Sequence, residues 1–149
     1  MAFLLDSGFL YAQLNGRDDH HAEVSAASRI SEREPIILPI PAITEITYLL
    51  QRDLGIEAVA TFLENLSETD FILETPTAED YRRAAEILRK YNDANIDFVD
   101  AVIAAIAERL NITKILTVDR RHFGAFKPRH CAAFSRFPSA YSVLPKLFR

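Results

Sequence analysis

Phe3-Leu4-Leu5, Pro35-Ile36-Ile37-Leu38-Pro39, Phe71-Ile72-Leu73 and Lys114-Ile115-Leu116-Thr117-Val118 are short apolar runs, separated by longer stretches whose apolar residues recur at helical spacing. A run of this length between turn formers reads as a buried strand. After the first, Phe9, Leu10, Ala12 and Leu14 suggest a helix stopped near Asn15-Gly16. A second helix is expected from Asp18 or Asp19 to about Arg33, with Asp as cap and Pro35 as terminator. From Ala42 onward Ile43, Ile46, Leu49, Leu50 and Leu54 share a helix face until Gly55 closes it, and Ile56, Val59, Phe62, Leu63 and Leu66 mark the next. Thr77 and Asp80 resemble a capping box opening a helix to about Tyr91. Asp97 stands as an N-cap before Val99, Val102, Ile103, Ile106 and Leu110. Past Asp119 the pattern weakens, and residues 131–137 offer a last edge strand.

Strands alternating with helices require crossover connections, which are right-handed and give parallel pairing. The expected fold is α/β, a three-layer α/β/α domain with a central, mostly parallel sheet covered by helices on both faces. The 149 residues, 49% hydrophobic and 26% charged, suffice for one domain with a core that needs no staples. No repeat or linker divides the chain, so residues 1–149 are read as a single domain. One cysteine, Cys131, cannot bridge internally, and nothing points to an oxidising compartment. The first residues lack a basic segment and meet Asp6 too early for a signal peptide, and no apolar run approaches the roughly 18–20 residues of a membrane helix. A soluble, cytoplasmic protein with no membrane association is expected.

The net charge of −4 argues at first against a nucleic-acid partner. Its distribution is uneven. Residues 1–75 carry 13 acids and 4 bases, residues 76–149 carry 8 acids and 13 bases, and after Asp119 there are bases only: Arg120, Arg121, Lys127, Arg129, Arg136, Lys146 and Arg149. Such polarity fits an anionic partner, or a solvated surface with a chance imbalance.

Four acids occupy positions that the alternation makes informative. Asp6 ends the first strand, Glu45 lies in the first turns of a helix, Asp100 in the first turn of another, and Asp119 follows a strand. In a parallel sheet, strand C-termini and helix N-termini meet at one edge, where ligands bind. All four carboxylates can therefore converge despite separations of 39, 55 and 19 residues. Clustered carboxylates repel and raise one another's pKa; Mg²⁺ or Mn²⁺, which prefer hard oxygen ligands, removes that cost and can activate water against a phosphoryl centre. The helix dipole favours the ionised form of Asp100. Each acid also has a plainer reading: Asp6 as a helix cap, Asp119 as a turn residue, Glu45 on a solvated helix face, Asp97 as a cap.

Four segments, Phe3-Leu4-Leu5-Asp6-Ser7, Ile43-Thr44-Glu45-Ile46, the block from Asp97-Phe98-Val99-Asp100 to Leu110, and Ile115-Leu116-Thr117-Val118-Asp119-Arg120-Arg121-His122-Phe123, together resemble the PIN-domain nucleases, specifically the VapC-type toxins of toxin–antitoxin pairs. The resemblance implies a Mg²⁺- or Mn²⁺-dependent endoribonuclease that cleaves cellular RNA, a cognate VapB-type antitoxin, and a homodimer. It places the acidic pocket on Asp6, Glu45, Asp100 and Asp119. Asp6, Asp100 and Asp119 would hold one metal or a pair, Glu45 would bind metal or position the attacking water, and Asp97 would assist or merely cap. Ser7 and Thr117 neighbour two acids and are placed to orient them. Arg120 and Arg121 are candidate contacts to RNA phosphates. Phe123, Phe126 and Tyr141 are available for base stacking, with core burial the alternative. His122 would touch RNA or end a turn, His20 and His21 fall on a solvated helix, and Cys131 beside His130 on a strand would pack rather than react. Two alternatives remain: a haloacid-dehalogenase-like phosphoryl hydrolase, disfavoured because Gly8 stands where a second Asp is needed, and a catalytically silent PIN-like scaffold that binds RNA or protein.

Overall fold

A computed structural model describes residues 2–25 and 34–137, apart from the side chains of Arg120 and Phe137. Its elements run β1 (Phe3–Leu5), α1 (Ser7–Leu14), α2 (helical over 21–25), β2 (Ile36–Pro39), α3 (Ile40–Leu54), α4 (Ile56–Glu68), β3 (Ile72–Glu74), α5 (Ala78–Lys90), α6 (Phe98–Leu110), β4 (Lys114–Leu116), α7 (Arg120–Ala125) and β5 (Ser135–Phe137). The second helix starts later than Asp18 or Asp19 because residues 18–20 form a turn, with Asp18 accepting from the His20 N–H at 2.9 Å. Its expected extension to Arg33 lies outside the described residues. The edge strand begins at Ser135, since residues 131–133 bend ahead of it.

All five strands are parallel, in the order β3-β2-β1-β4-β5. Leu4 pairs with Ile37 on one side and Ile115 on the other, so the three project to the same face, where Ile103, Ile106, Ile87 and Phe123 of α6, α5 and α7 cover them. Phe3, Leu5, Leu38 and Leu116 face the opposite way onto Phe9, Ile46, Leu50 and Phe62 of α1, α3 and α4. That alternation, one strand feeding two cores, is the period-2 geometry of a sheet buried on both sides. Each fully buried Leu or Ile contributes about 1.5–3 kcal/mol.

Local chemistry sets the element boundaries. Thr77 and Asp80 exchange side-chain and backbone hydrogen bonds as a capping box at α5, and Asp97 and Asp100 do the same at α6. α6 is buried almost all round, and its run of alanines lets α5 and the sheet approach closely. Arg109 near its end reaches the buried Asp80 at 3.0 Å and Glu74 at 2.7 Å, fastening α6 to α5 and to the end of β3. Gly55 alone joins α3 to α4, at φ 90°, a conformation that a side chain would strain. Among the described residues no helix is long and apolar enough to cross a membrane.

Candidate active site

From β1 the chain moves outward through β2 to β3, then returns to lay β4 on the other flank of β1. The connections leaving β1 and β4 therefore diverge, which opens a crevice at the carboxyl ends of these two strands. Asp6 and Asp119 stand on its two sides. Asp6 is held in place by its own N–H, which donates to the Leu116 carbonyl at 3.0 Å. Tight approach is enforced at Gly8, where a Cβ would come within 3.1 Å of the Val118 side chain.

Asp6 occupies the N-cap position of α1, but its side chain makes no cap hydrogen bond. It turns instead into the crevice, 4% exposed, and accepts from the Thr117 hydroxyl at 2.7 Å. Ser7 donates its hydroxyl to the other oxygen of Asp6 at 3.4 Å. Asp119 does cap its helix, accepting from the N–H groups of Arg121 (3.1 Å) and His122 (3.2 Å). Asp97 is also a cap, accepting from the Asp100 N–H at 2.9 Å, while Asp100 Oδ2 accepts from the Asp97 N–H at 3.2 Å. His122 joins two of the acids: its Nδ1 stands 2.9 Å from Oδ2 of Asp100 and 2.9 Å from Oδ2 of Asp119.

The cluster is electrostatically one unit. Burial pushes the Asp6 carboxyl up to about 6, with repulsion from Glu45 and Asp119 adding to it and the Thr117 hydrogen bond opposing it. Asp100 is pushed well above the ordinary carboxylate range by burial first, then by Asp97 and Asp6. The helix dipole expected to favour its ionised form is therefore outweighed. Glu45 is raised by burial and by Asp97, against the Ser7 hydrogen bond. Three carboxyls thus resist ionisation, the condition that a nearby divalent cation relieves.

The donor set fits such an ion in kind, since every group is a hard carboxylate oxygen. In the arrangement described, those oxygens hold protein donors, and among the described residues no three Asp, Glu, His or Cys side chains are gathered closely enough to grip one ion.

His122 was legible only as a turn or RNA residue. The signal that it would bridge is its place three residues after a capping Asp, which puts its ring on the side of Asp119. Arg121 lines an open cleft of about 670 Å³ with His20, Glu23, Val118 and Asp119, which puts it beside Asp119; the side chain of Arg120 lies outside the described residues. Arg129 is spent elsewhere, on Glu86 at 2.8 Å and, through its N–H, on Glu108. Phe123 and Phe126 are buried around Phe134, with Tyr91 against Phe126, and are closed to base stacking. Tyr141, Lys146 and Arg149 lie outside the described residues. Two exposed aromatics that the periodicity passed over, Tyr48 and Phe98, line a second hollow of about 490 Å³ with Glu45 and Asp97. His130 and Cys131 sit in bends, not on a strand, so the argument from opposite faces does not hold; Sγ approaches His130 Nε2 at 3.7 Å. Burial raises the Cys131 thiol, which keeps it protonated and unreactive.

A model of the PIN domain family matches residues 3–127, and ribonuclease VapC26 of Mycobacterium tuberculosis is 30% identical over 135 residues, 91% of this chain and 99% of that protein. The chain belongs to the PIN-domain family, in its VapC branch. The fold agrees. VapC20 of Mycobacterium tuberculosis, described as a sarcin-ricin loop cleaving toxin, superposes on this PIN domain with a TM-score of 0.75 at 23% identity, over 83% of this chain and 94% of that one. VapBC2 of Rickettsia felis, solved on a DNA fragment of its promoter, gives 0.68 at 14% identity over 92% and 99%. At these identities the likeness bears on architecture alone. Membership in the PIN-domain family removes the haloacid-dehalogenase-like alternative.

Proposed function

We propose that residues 1–149 form one PIN domain that works as a divalent-metal-dependent endoribonuclease, a VapC-type toxin that hydrolyses phosphodiester bonds of cellular RNA in the cytoplasm. The observation that carries this reading is the set of carboxylates Asp6, Glu45, Asp100 and Asp119 at the β1/β4 crevice, three of them pushed up by burial and by one another. The name of its relative, ribonuclease VapC26, supports the reaction.

Asp6, Asp100 and Asp119 would hold Mg²⁺ or Mn²⁺, with Glu45 completing the site. A bound divalent cation supplies Lewis acidity, making water a better nucleophile and neutralising charge on phosphoryl oxygens. The chain's own groups do the positioning. Thr117 fixes Asp6, Ser7 donates to the other oxygen of Asp6, and Glu45, on α3, would act as acceptor for a proton of the attacking water. Asp97 serves α6 as its cap. Arg121, and with it Arg120, would receive the phosphates flanking the cut, which an uncompensated acidic pocket repels.

The partners we propose are a cognate VapB-type antitoxin and a second copy of the chain. VapBC complexes among the structural neighbours support the first. The second is supported by exposed Tyr48 (66%), Phe98 (51%) and Tyr81 (48%), with Tyr81 stacked on Phe98. The test is incubation of purified protein with total RNA and Mg²⁺ or Mn²⁺, with and without chelator. Cleavage that chelator abolishes is expected; cleavage indifferent to chelator, or none with either metal, overturns the reading.

A further inference from the structure

His122 grips its neighbours twice. Its backbone N–H donates to Asp119 Oδ1 at 3.2 Å, and its ring Nδ1 lies 2.9 Å from Asp119 Oδ2 and 2.9 Å from Asp100 Oδ2. At 2.9 Å from both oxygens, Nδ1 is within ion-pairing distance of each carboxylate. The two acids come from different parts of the fold, Asp100 from the first turn of α6 and Asp119 from the end of the β4 segment. Each is also tied to its own helix, Asp100 through the same Oδ2 to the Asp97 N–H and Asp119 through Oδ1 to the N-terminus of α7. Among the described residues, the His122 ring is in contact with both. The ring itself is held: it lines a small hollow with Ile87, Ile96, Ala104, Phe123 and Phe126, and the two phenylalanines anchor α7 in the core.

We propose that His122 is a positioning residue of the cation site, whose ring, in contact with both Oδ2 atoms, sets the separation and orientation of the Asp100 and Asp119 carboxylates. Asp100 Oδ2 already meets both the Asp97 N–H and Nδ1, so its Oδ1 is the oxygen that would meet a cation, whereas Asp119 Oδ2 keeps a lone pair for one. Groups that hydrogen-bond to metal-binding carboxylates typically change metal affinity 10–100-fold when removed. The inference rests on the proposed metal site, and its readout is metal binding itself, without substrate.

The experiment is titration of wild-type protein, His122→Leu, His122→Ala and His122→Asn with Mn²⁺ alone, by calorimetry and by the electron paramagnetic resonance signal of free Mn²⁺, with thermal unfolding in chelator as the check that each variant is folded. His122→Leu fills the hollow without a donor, and His122→Asn keeps a side-chain N–H near the position of Nδ1. The expected result is tenfold or greater weakening in His122→Leu and His122→Ala, with His122→Asn recovering most of the affinity. Wild-type affinity in folded His122→Leu or His122→Ala overturns the positioning role, as does an Asn variant no better than Leu. A wild-type protein that takes up no Mn²⁺ overturns the metal site and this inference together.

Discussion

Thr117 donates its hydroxyl hydrogen to Asp6 Oδ2 at 2.7 Å, joining residues 111 positions apart at the ends of adjacent strands. The Thr117 hydroxyl oxygen in turn accepts from the Asp119 N–H at 3.0 Å. One hydroxyl therefore ties both walls of the crevice. Thr117→Val keeps the volume and β-branching but leaves Asp6 without its donor and the Asp119 N–H without its acceptor. A loss of about 1–3 kcal/mol in urea unfolding is expected, with RNA cleavage falling while Thr117→Ser retains both. An unchanged unfolding midpoint in Thr117→Val contradicts this role.

The acid cluster makes stability depend on pH in a defined direction. Asp6 is raised from 3.8 to about 6, chiefly by burial, so the folded chain holds a proton that the unfolded chain releases. The contribution of this group is fully present below about pH 4 and is lost as pH rises through 6. At about 1.4 kcal/mol per unit this amounts to roughly 3 kcal/mol. Metal-free protein should unfold at lower temperature at pH 7.5 than at pH 5.5, and Asp6→Asn should flatten the slope. A wild-type midpoint that climbs across this interval would show that the acids are not packed together as described.

Asp97 acts as a cap, and its two functions separate by substitution. Asp97→Asn retains an acceptor for the Asp100 N–H while removing the charge that raises Asp100 and Glu45. It should leave stability and RNA cleavage near wild type. Asp97→Ala should lose about 1 kcal/mol, the usual value of an N-cap. If cleavage collapses in the folded Asn variant, Asp97 is a ligand after all.

Asp80 is almost fully buried at the start of α5; burial pushes its carboxyl up, and Arg109 with the Thr77 cap more than offsets this, so the net shift is downward. Arg109→Ala removes its charged partner and that of Glu74. Breaking a fully buried pair costs about 3–5 kcal/mol, and the partial exposure of Arg109 places this variant at about 2–3 kcal/mol in chemical denaturation. In the double variant Asp80→Asn, Arg109→Ala most of that loss should return. No recovery would mean that Arg109 acts through packing instead.

The layered fold and the placement of the four acids could be read from the chain because both follow from local periodicity. Leu4 and its flanking residues alternate between faces, Thr77 and Asp97 announce their helices, and a parallel sheet then brings strand ends and helix starts to one edge. What could not be read depends on contacts between distant segments. Nothing near Asp6 in sequence indicates that its side chain leaves the cap position for Thr117, 111 residues on. The bridge from His122 to Asp100 requires α7 to pack beside α6, and the capture of Arg129 by Glu86 requires residues 126–134 to fold over α5. Charge counting grouped Arg129 with the bases after Asp119 that would suit an anionic partner; the third dimension gave it an acidic neighbour.

The central claim is that Asp6, Glu45, Asp100 and Asp119 form one catalytic centre, and cleavage of end-labelled RNA by single and paired variants in Mn²⁺ tests it most directly. Asp6→Asn, Glu45→Gln, Asp100→Asn and Asp119→Asn should each slow cleavage on the order of a thousandfold, equivalent to about 4 kcal/mol. Paired variants such as Asp6→Asn with Asp119→Asn should lose little more than either alone, because groups acting as a unit are not additive. Folded single variants that cut RNA at the wild-type rate, or pairs whose losses multiply as independent sites would, contradict it.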